Sequence, residues 1–408
     1  MAHRLDPAWT LLDYEWIGLD MSGAETLLQG RLEYVKERLD LIINWLLSSG
    51  IQGAPGYFHC WYDMTTGGYP FVYTEMIGHG ISTLLYLYER EGDRALLDRG
   101  IRAGDWLLDN VVSEDGAFVW KYYLEHGEQD RAQYAFDNSV CISALVDLSR
   151  IVGRKRYLDA AIRAGEWLLN WMGESNGLFK ARYDPATGSF GGSRWSCNPG
   201  SYQSKIGISL LKLAGIVDGM EDRARRLCEW VLNLQESDGR FRTNPGSRNT
   251  YVHAHCYAAE GLLYTGRKVS EPRFSEAAHE ASKWLRTIQK PGGAVGRWYG
   301  PEDWLSIDDN TEALAQAVRL WLIYGGQDRA EPNVLGSQIE RAVDRLLSLQ
   351  CLDNDPRAYG GLHYAVLDGN LVPHINCCAS LFAIQALQMY LDWRKGLFSS
   401  ELALEELI

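Results

Sequence analysis

The 408 residues predict an all-α ring of six helical hairpins, an (α/α)6 toroid, on three observations. A short phrase recurs along the chain, its copies fall at near-constant steps, and a second kind of helix follows each copy. The phrase reads Trp45-Leu46-Leu47, Asp105-Trp106-Leu107-Leu108, Glu166-Trp167-Leu168-Leu169, Glu229-Trp230-Val231-Leu232, Lys283-Trp284-Leu285 and, degenerate, Asp344-Arg345-Leu346-Leu347. The steps between copies are 61, 61, 63, 54 and 61 residues, which marks an internal repeat. Around each copy apolar residues recur three and four apart, as at Ala160, Ala161, Ala164, Trp167 and Leu168, the pattern of an amphipathic outer helix. The recurring tryptophans are read as core between two helix layers.

Each outer helix runs into a turn signal: Ser49-Gly50, Asp115-Gly116, Asn176-Gly177, Asp238-Gly239, Gly292-Gly293 and Asp353-Asn354. Such pairs supply the positive φ of a tight turn. Short strand-like pieces follow, as at 117–120 and 178–182. A second helix then comes in each copy, near 74–90, 137–153, 201–217, 253–267, 309–326 and 375–393. These six are rich in Gly, Ala, Ser and Cys and almost free of charge through their middles, so they are expected to pack on all sides as an inner ring. Return connections are short, as at Glu91-Gly92-Asp93. The long aromatic loops therefore gather at the other end, where function is expected. Residues 30–393 form the ring, 1–29 an N-terminal arm with Trp9, Tyr14 and Trp16, and 394–408 a C-terminal tail. An open solenoid of the same units is disfavoured because no polar capping repeat is present.

The totals narrow the partners. A net charge of -13 without a basic run argues against nucleic acid and anionic membrane surfaces. No stretch is long and apolar enough to be a signal peptide or a membrane span. Eight cysteines without CxxC spacing fit reduced thiols in the cytoplasm. No cofactor is expected. A metal held by His253, His255, Cys256, His374, Cys377 or Cys378 would need a ligand spacing that the chain lacks. Self-association as a homodimer is left open.

Inner-helix N-termini in such a ring all point to the long-loop face. They bring Glu75 and His79; Asp137 and Asn138; Tyr202, Gln203 and Lys205; His253, His255 and Glu260; Asp308, Asp309, Asn310 and Glu312; and His374 and Asn376. The loops add Trp61, Tyr62, Asp63, Trp120, Arg182, Trp195, Arg240, Trp298, Tyr299 and Trp304. Carboxylates and histidines inside an aromatic rim suit a sugar. Aromatic faces hold the ring, one protonated carboxyl donates to a leaving oxygen, and one carboxylate activates water. Structural readings compete. Asp309 and Glu312 also form a capping box, Asp137 also suits an N-cap, and Glu75 is favoured in a first turn by the helix dipole alone. His253 and His255 are two apart, so they do not share a helix face.

Several segments carry a resemblance. They are Tyr69-Pro70-Phe71-Val72-Tyr73-Thr74-Glu75-Met76-Ile77-Gly78, Phe136-Asp137-Asn138-Ser139, the stretch His253–Leu262, and Asn376–Leu387. Over residues 30–393 the chain resembles the six-hairpin glycosidase-like superfamily, and within it a branch associated with polysaccharide metabolism. That resemblance implies a glycan or uronic-acid substrate. Its members include unsaturated uronyl hydrolases, sugar 2-epimerases, uronate C5-epimerases and polysaccharide lyases. The hydrolases place Asp residues at inner-helix starts, similar to Asp137 and Asp309. The 2-epimerases use a histidine pair, for which only His253, His255 and His374 stand available. Triterpene cyclases share the toroid. Gln235–Phe241 and Ser306–Thr311 approximate their motifs, but the leading Asp of the acidic motif is missing. A non-catalytic glycan-binding toroid is a further alternative.

The expectation is an oligosaccharide hydrolase with Asp137 and Asp309 as acid and base and Glu75 in support. His253 and His255 orient the sugar, and Arg182 or Arg240 meets a carboxylate. Trp61, Tyr62, His79, Trp120, Asn138, Trp195, Tyr202, Gln203, Trp298, Trp304, Asp308 and His374 bind substrate. Uronate epimerisation or elimination from a His or Tyr base is the alternative.

Overall fold

The computed structural model describes residues 21–300, 308–325 and 332–407. The arm's Trp9, Tyr14 and Trp16, and the loop residue Trp304, lie outside the described residues. Helices run in chain order as α1 (Met21–Ser48), α2 (Thr74–Glu91), α3 (Arg94–Asn110), α4 (Ala135–Val152), α5 (Lys155–Trp167), α6 (Ile206–Leu213), α7 (Met220–Leu232), α8 (Val252–Lys268), α9 (Pro272–Thr287), α10 (Thr311–Gly325), α11 (Pro332–Ser348), α12 (Cys377–Arg394) and α13 (Ser400–Glu405). Odd-numbered α1 to α11 form the outer layer and even-numbered α2 to α12 the inner ring.

The two layers differ as their sequences dictate. Outer helix α5 buries one stripe, Tyr157, Ala160, Ala161, Ala164, Gly165 and Trp167. Inner helix α8 is buried from Val252 through Gly266 without interruption. Trp45, Trp106, Trp167 and Trp284 are buried between the layers, whereas Trp230 is half-buried. Small residues let the inner helices touch backbone to backbone: a Cβ on Gly261 would come within 2.2 Å of the Ser204 carbonyl carbon. Two boundaries differ from the sequence reading. Helix α1 starts at Met21, inside the segment assigned to the arm. The third inner helix is short, led in by a 3-10 turn at Ser201–Lys205 and ended before Gly215, whose φ is 82°.

The ring closes, and glycines show how. In each hairpin a glycine of positive φ abuts the outer helix of the next. Gly239 lies against Glu280 of α9, and Gly360 of the sixth hairpin lies against Leu41 of α1. The sixth tight turn therefore falls at Gly360 and not at Asp353-Asn354. Small antiparallel ladders repeat the logic. Val72–Tyr73 pairs with Lys121–Tyr123, Gln133–Tyr134 with Arg182–Asp184, and His374–Asn376 returns to Trp61–Asp63 of the first hairpin. Arg31 on α1 completes the seam with ion pairs to Glu340 and Asp344 of α11. At the far end of the ring axis the C-terminal segment packs in. Leu404 and Leu407 are buried, and Gln385 donates to the Glu406 carbonyl at 2.6 Å. All eight cysteines are free and buried. No helix among the described residues is long and apolar enough to cross a membrane.

Gly360 and Gly369 both have positive φ, but only Gly360 meets another backbone, 2.3 Å from its added Cβ. Both alanine variants carry the left-handed cost of roughly 1–2 kcal/mol. Gly360→Ala should lose a further 1–3 kcal/mol or so from overpacking in denaturant unfolding. Equal losses in the two variants would contradict a seam at Gly360.

Candidate active site

The long-loop face holds a cavity of about 480 Å³. Its floor is the first turn of five inner helices: Glu75 of α2, Asp137 of α4, His253 of α8, Glu312 of α10 and Cys378 of α12. Aromatic side chains make the walls. Trp195 meets Tyr202 edge-on at 5.1 Å, and Trp61 stacks on His374 at 5.0 Å and 14°. Tyr73, Tyr134 and Tyr251 each precede the first residue of an inner helix, in extended backbone, and all three line the cavity.

The acids differ in charge state. Burial pushes Asp137 up, and repulsion from Glu75 adds to it, so its pKa stands well above the usual carboxylate range. Its Oδ2 is buried with no hydrogen-bond partner among the described residues. Burial alone would also raise Glu75. His79, 3.5 Å away, and the Tyr73 hydroxyl outweigh it and hold Glu75 below its ordinary value. Burial first, then Glu75, lifts Glu312 to about 8. The floor thus favours the ionised form of Glu75 and the protonated forms of Asp137 and Glu312.

His253 is held as one tautomer. Arg319 and Lys205 pair with Glu260 at 2.5 and 2.7 Å. Glu260 in turn accepts from the Gln316 amide NH2 at 3.3 Å. That turns the Gln316 oxygen to His253 Nδ1, 2.6 Å away, so Nδ1 carries the hydrogen. Nε2 is then left bare, 3.9 Å from Glu312. Burial lowers the His253 pKa to about 4, so the ring is neutral.

Of the sequence candidates, Glu75, Asp137, His253, Glu312, Asn376, Trp61, Trp120, Trp195, Tyr202 and His374 line the cavity. Asp309 does not. It pairs with Lys290 and Arg345, each at 2.6 Å. Residues 309–310 are extended, so neighbours point to opposite sides, and the capping register moves by one: Asn310 accepts from the Ala313 N–H at 2.7 Å. His255 is turned off the cavity by its two-residue offset. Its Nδ1 accepts from the Phe241 N–H and its Nε2 donates to the Ala281 carbonyl, both at 3.1 Å.

Asn138 and Gln203 do the same work in their own hairpins. They bond the backbone of Phe118 and Phe179, so a repeated clasp occupies three residues read as candidates. Tyr62 is buried and donates to Asp355, and His79 lies beneath Glu75. Arg182 pairs with Asp184, Arg240 bonds Arg248 and Thr250, and Asp308 accepts from the Asp368 N–H. Trp298 backs Tyr251 at 4.8 Å without lining the cavity. The residues not singled out are Tyr73, Lys121, Tyr134, Arg194, Tyr257, Arg297 and Tyr364. A tyrosine immediately before three inner helices was the available signal.

No family model matches the chain, and no curated protein matches it. Solved structures do. A cellobiose 2-epimerase from Bacillus thermoamylovorans superposes with TM-score 0.74 over 88% of this chain and 99% of that one, at 10% identity. A D-mannose isomerase gives 0.70 over 89% and 98%, at 11% identity. An unsaturated glucuronyl hydrolase specific for heparin gives 0.66 over 90% and 100%, at 14% identity. The chain has the (α/α)6 toroid fold of these six-hairpin glycosidase-like proteins.

The Glu312 carboxyl bears on stability. Its folded pKa of about 8 lies above the unfolded value, so its favourable contribution is complete below about pH 4.5 and lost as pH rises toward 8. Glu312→Gln removes that loss. The Tm of the variant relative to the parent should climb between these limits and level off above pH 8. A constant difference would contradict a neutral Glu312.

Proposed function

We propose that the protein hydrolyses a glycosidic bond in an oligosaccharide containing uronic acid, with Asp137 as general acid and Glu75 as general base. The observation that carries this reading is two buried carboxyls, Asp137 and Glu75, on the floor of one aromatic cavity, with burial and mutual repulsion raising the pKa of Asp137 and His79 and Tyr73 lowering that of Glu75. Neutral Asp137 donates its proton to the glycosidic oxygen as the C–O bond breaks. Ionised Glu75 takes a proton from the water that attacks the anomeric carbon. Pocket tyrosines and Trp120 pack on sugar faces. Arg297 takes the carboxylate, the role first read into Arg182 or Arg240. It faces the cavity beside Tyr251 and Tyr364, with no carboxylate within 4 Å among the described residues. Buried thiols throughout suit a reducing compartment such as the cytoplasm.

A second reading, proton transfer at a sugar carbon, is favoured by the bare Nε2 of neutral His253. The fold is common to an epimerase, an isomerase and a hydrolase by their names.

Release of reducing ends from uronate oligosaccharides separates the two. Asp137→Asn and Glu75→Gln should each cut kcat by roughly 10²–10⁴-fold with the fold intact. Parent activity should fall in acid as Glu75 is protonated through its lowered pKa, and in alkali as Asp137 ionises through its raised one. Unchanged turnover in both variants overturns the assignment. Solvent deuterium on a sugar carbon without chain cleavage, lost in His253→Asn, would favour the second reading.

A further inference from the structure

One wall of the cavity carries two cations that form no close ion pair with a carboxylate among the described residues, although Asp130, across the ladder from Lys121, attracts it at longer range. Lys121 Nζ sits 3.9 Å from the ring centroids of both Phe71 and Trp120. The Arg194 guanidinium lies 5.2 Å from the same Trp120 ring. Neither cation has a carboxylate within 4 Å among the described residues, in a chain whose net charge is -13. Both line the cavity. Two like charges sharing one indole repel each other, and burial and Arg194 together depress the Lys121 pKa. Aromatic faces hold the ammonium in place but leave its hydrogens to be used. Cations beside a ligand cavity that lack a close carboxylate partner are arranged for an anion.

Their position says which anion. Lys121, Arg194 and the Trp120 ring they share line the same cavity as Asp137 and Glu75, so the pair stands in the space that holds the reacting carboxyls. Arg297, by contrast, lies beside Tyr251 and Tyr364 of later hairpins. Arg194 is exposed and Asp137 is buried, so the cation pair sits toward the mouth. We infer that Lys121 and Arg194 form an anion-binding subsite for the acidic group on the sugar next to the one held at Asp137 and Glu75. The inference rests on the reading of a uronate oligosaccharide above and narrows it to substrates with acidic groups on two neighbouring sugars. A carboxylate and a sulfate ester share the required chemistry: anionic oxygens that accept from an ammonium or a guanidinium N–H.

The test compares four probes by tryptophan fluorescence titration and calorimetry: glucuronate, glucuronyl-glucose, a disaccharide of two glucuronates, and a glucuronyl disaccharide sulfated on its second ring. The doubly acidic probes should bind roughly tenfold or more tighter than glucuronyl-glucose. Lys121→Met and Arg194→Met should each abolish that advantage and leave glucuronyl-glucose unaffected. Arg194 is exposed, so its variant tests the subsite even if Lys121→Met fails to fold. Whether the carboxylate or the sulfate gains more identifies the acidic group. An advantage that survives both substitutions, or that is absent from the parent, overturns the subsite. Indifference of every probe to Arg297→Met, with the Lys121 effect present, leaves the subsite standing and removes the uronate assignment at Arg297. Failure of all four probes to saturate the protein overturns both.

Discussion

Glu260 is the buried ion on which the ring's interior depends. It is 0% exposed, as is its partner Arg319, and Lys205 completes the cluster. These residues come from three successive inner-ring segments, and Arg319 reaches a fourth by bonding Gln385 of α12 at 2.8 Å. Arg319 and Lys205 lie over the Phe382 ring, and Lys205 also over Tyr257. A buried cluster of this kind is a weak source of net stability, but removing one member costs about 3–5 kcal/mol because the remaining charges stay buried. Its more specific consequence is orientation. Glu260 sets the Gln316 amide, and the amide sets the His253 tautomer, so the axis of the fold determines which nitrogen faces the ligand.

The floor of the cavity follows from the same geometry. Convergent helix starts put three buried carboxyls and a histidine together. They cannot all be charged. His79 and Tyr73 favour the charged form of Glu75, whereas burial and repulsion from Glu75 favour the neutral forms of Asp137 and Glu312. The fold is shared with proteins named for different reactions, so the ring itself does not decide the chemistry.

The repeat was legible because it is a matter of period and composition. Tryptophans 54 to 63 residues apart and charge-free small-residue helices translate directly into two layers, and short returns against long loops identify the working face. Within the site, legibility ended where one residue's parity matters. Asp309 and Asn310 differ only in which side of an extended pair they occupy, and the chain gives no sign of the cations Lys290 and Arg345 waiting on the far side. His255 and His253 are equivalent in composition but separated by two positions on a helix, and the inward one is chosen by packing against α9. Asn138 and Gln203 looked functional because they are polar at helix starts, yet their partners are loop backbones of their own hairpins. Arg297 and Tyr364 enter from loops whose paths only tertiary contacts define.

A crystal structure of Asp137→Asn soaked with a uronate oligosaccharide tests the central claim most directly. A glycosidic oxygen within about 3 Å of the substituted side chain, with a water between Glu75 and the anomeric carbon, is the predicted result. A glycan lying elsewhere on the molecule, or crossing the cavity with its linkages away from Glu75 and position 137, would contradict it.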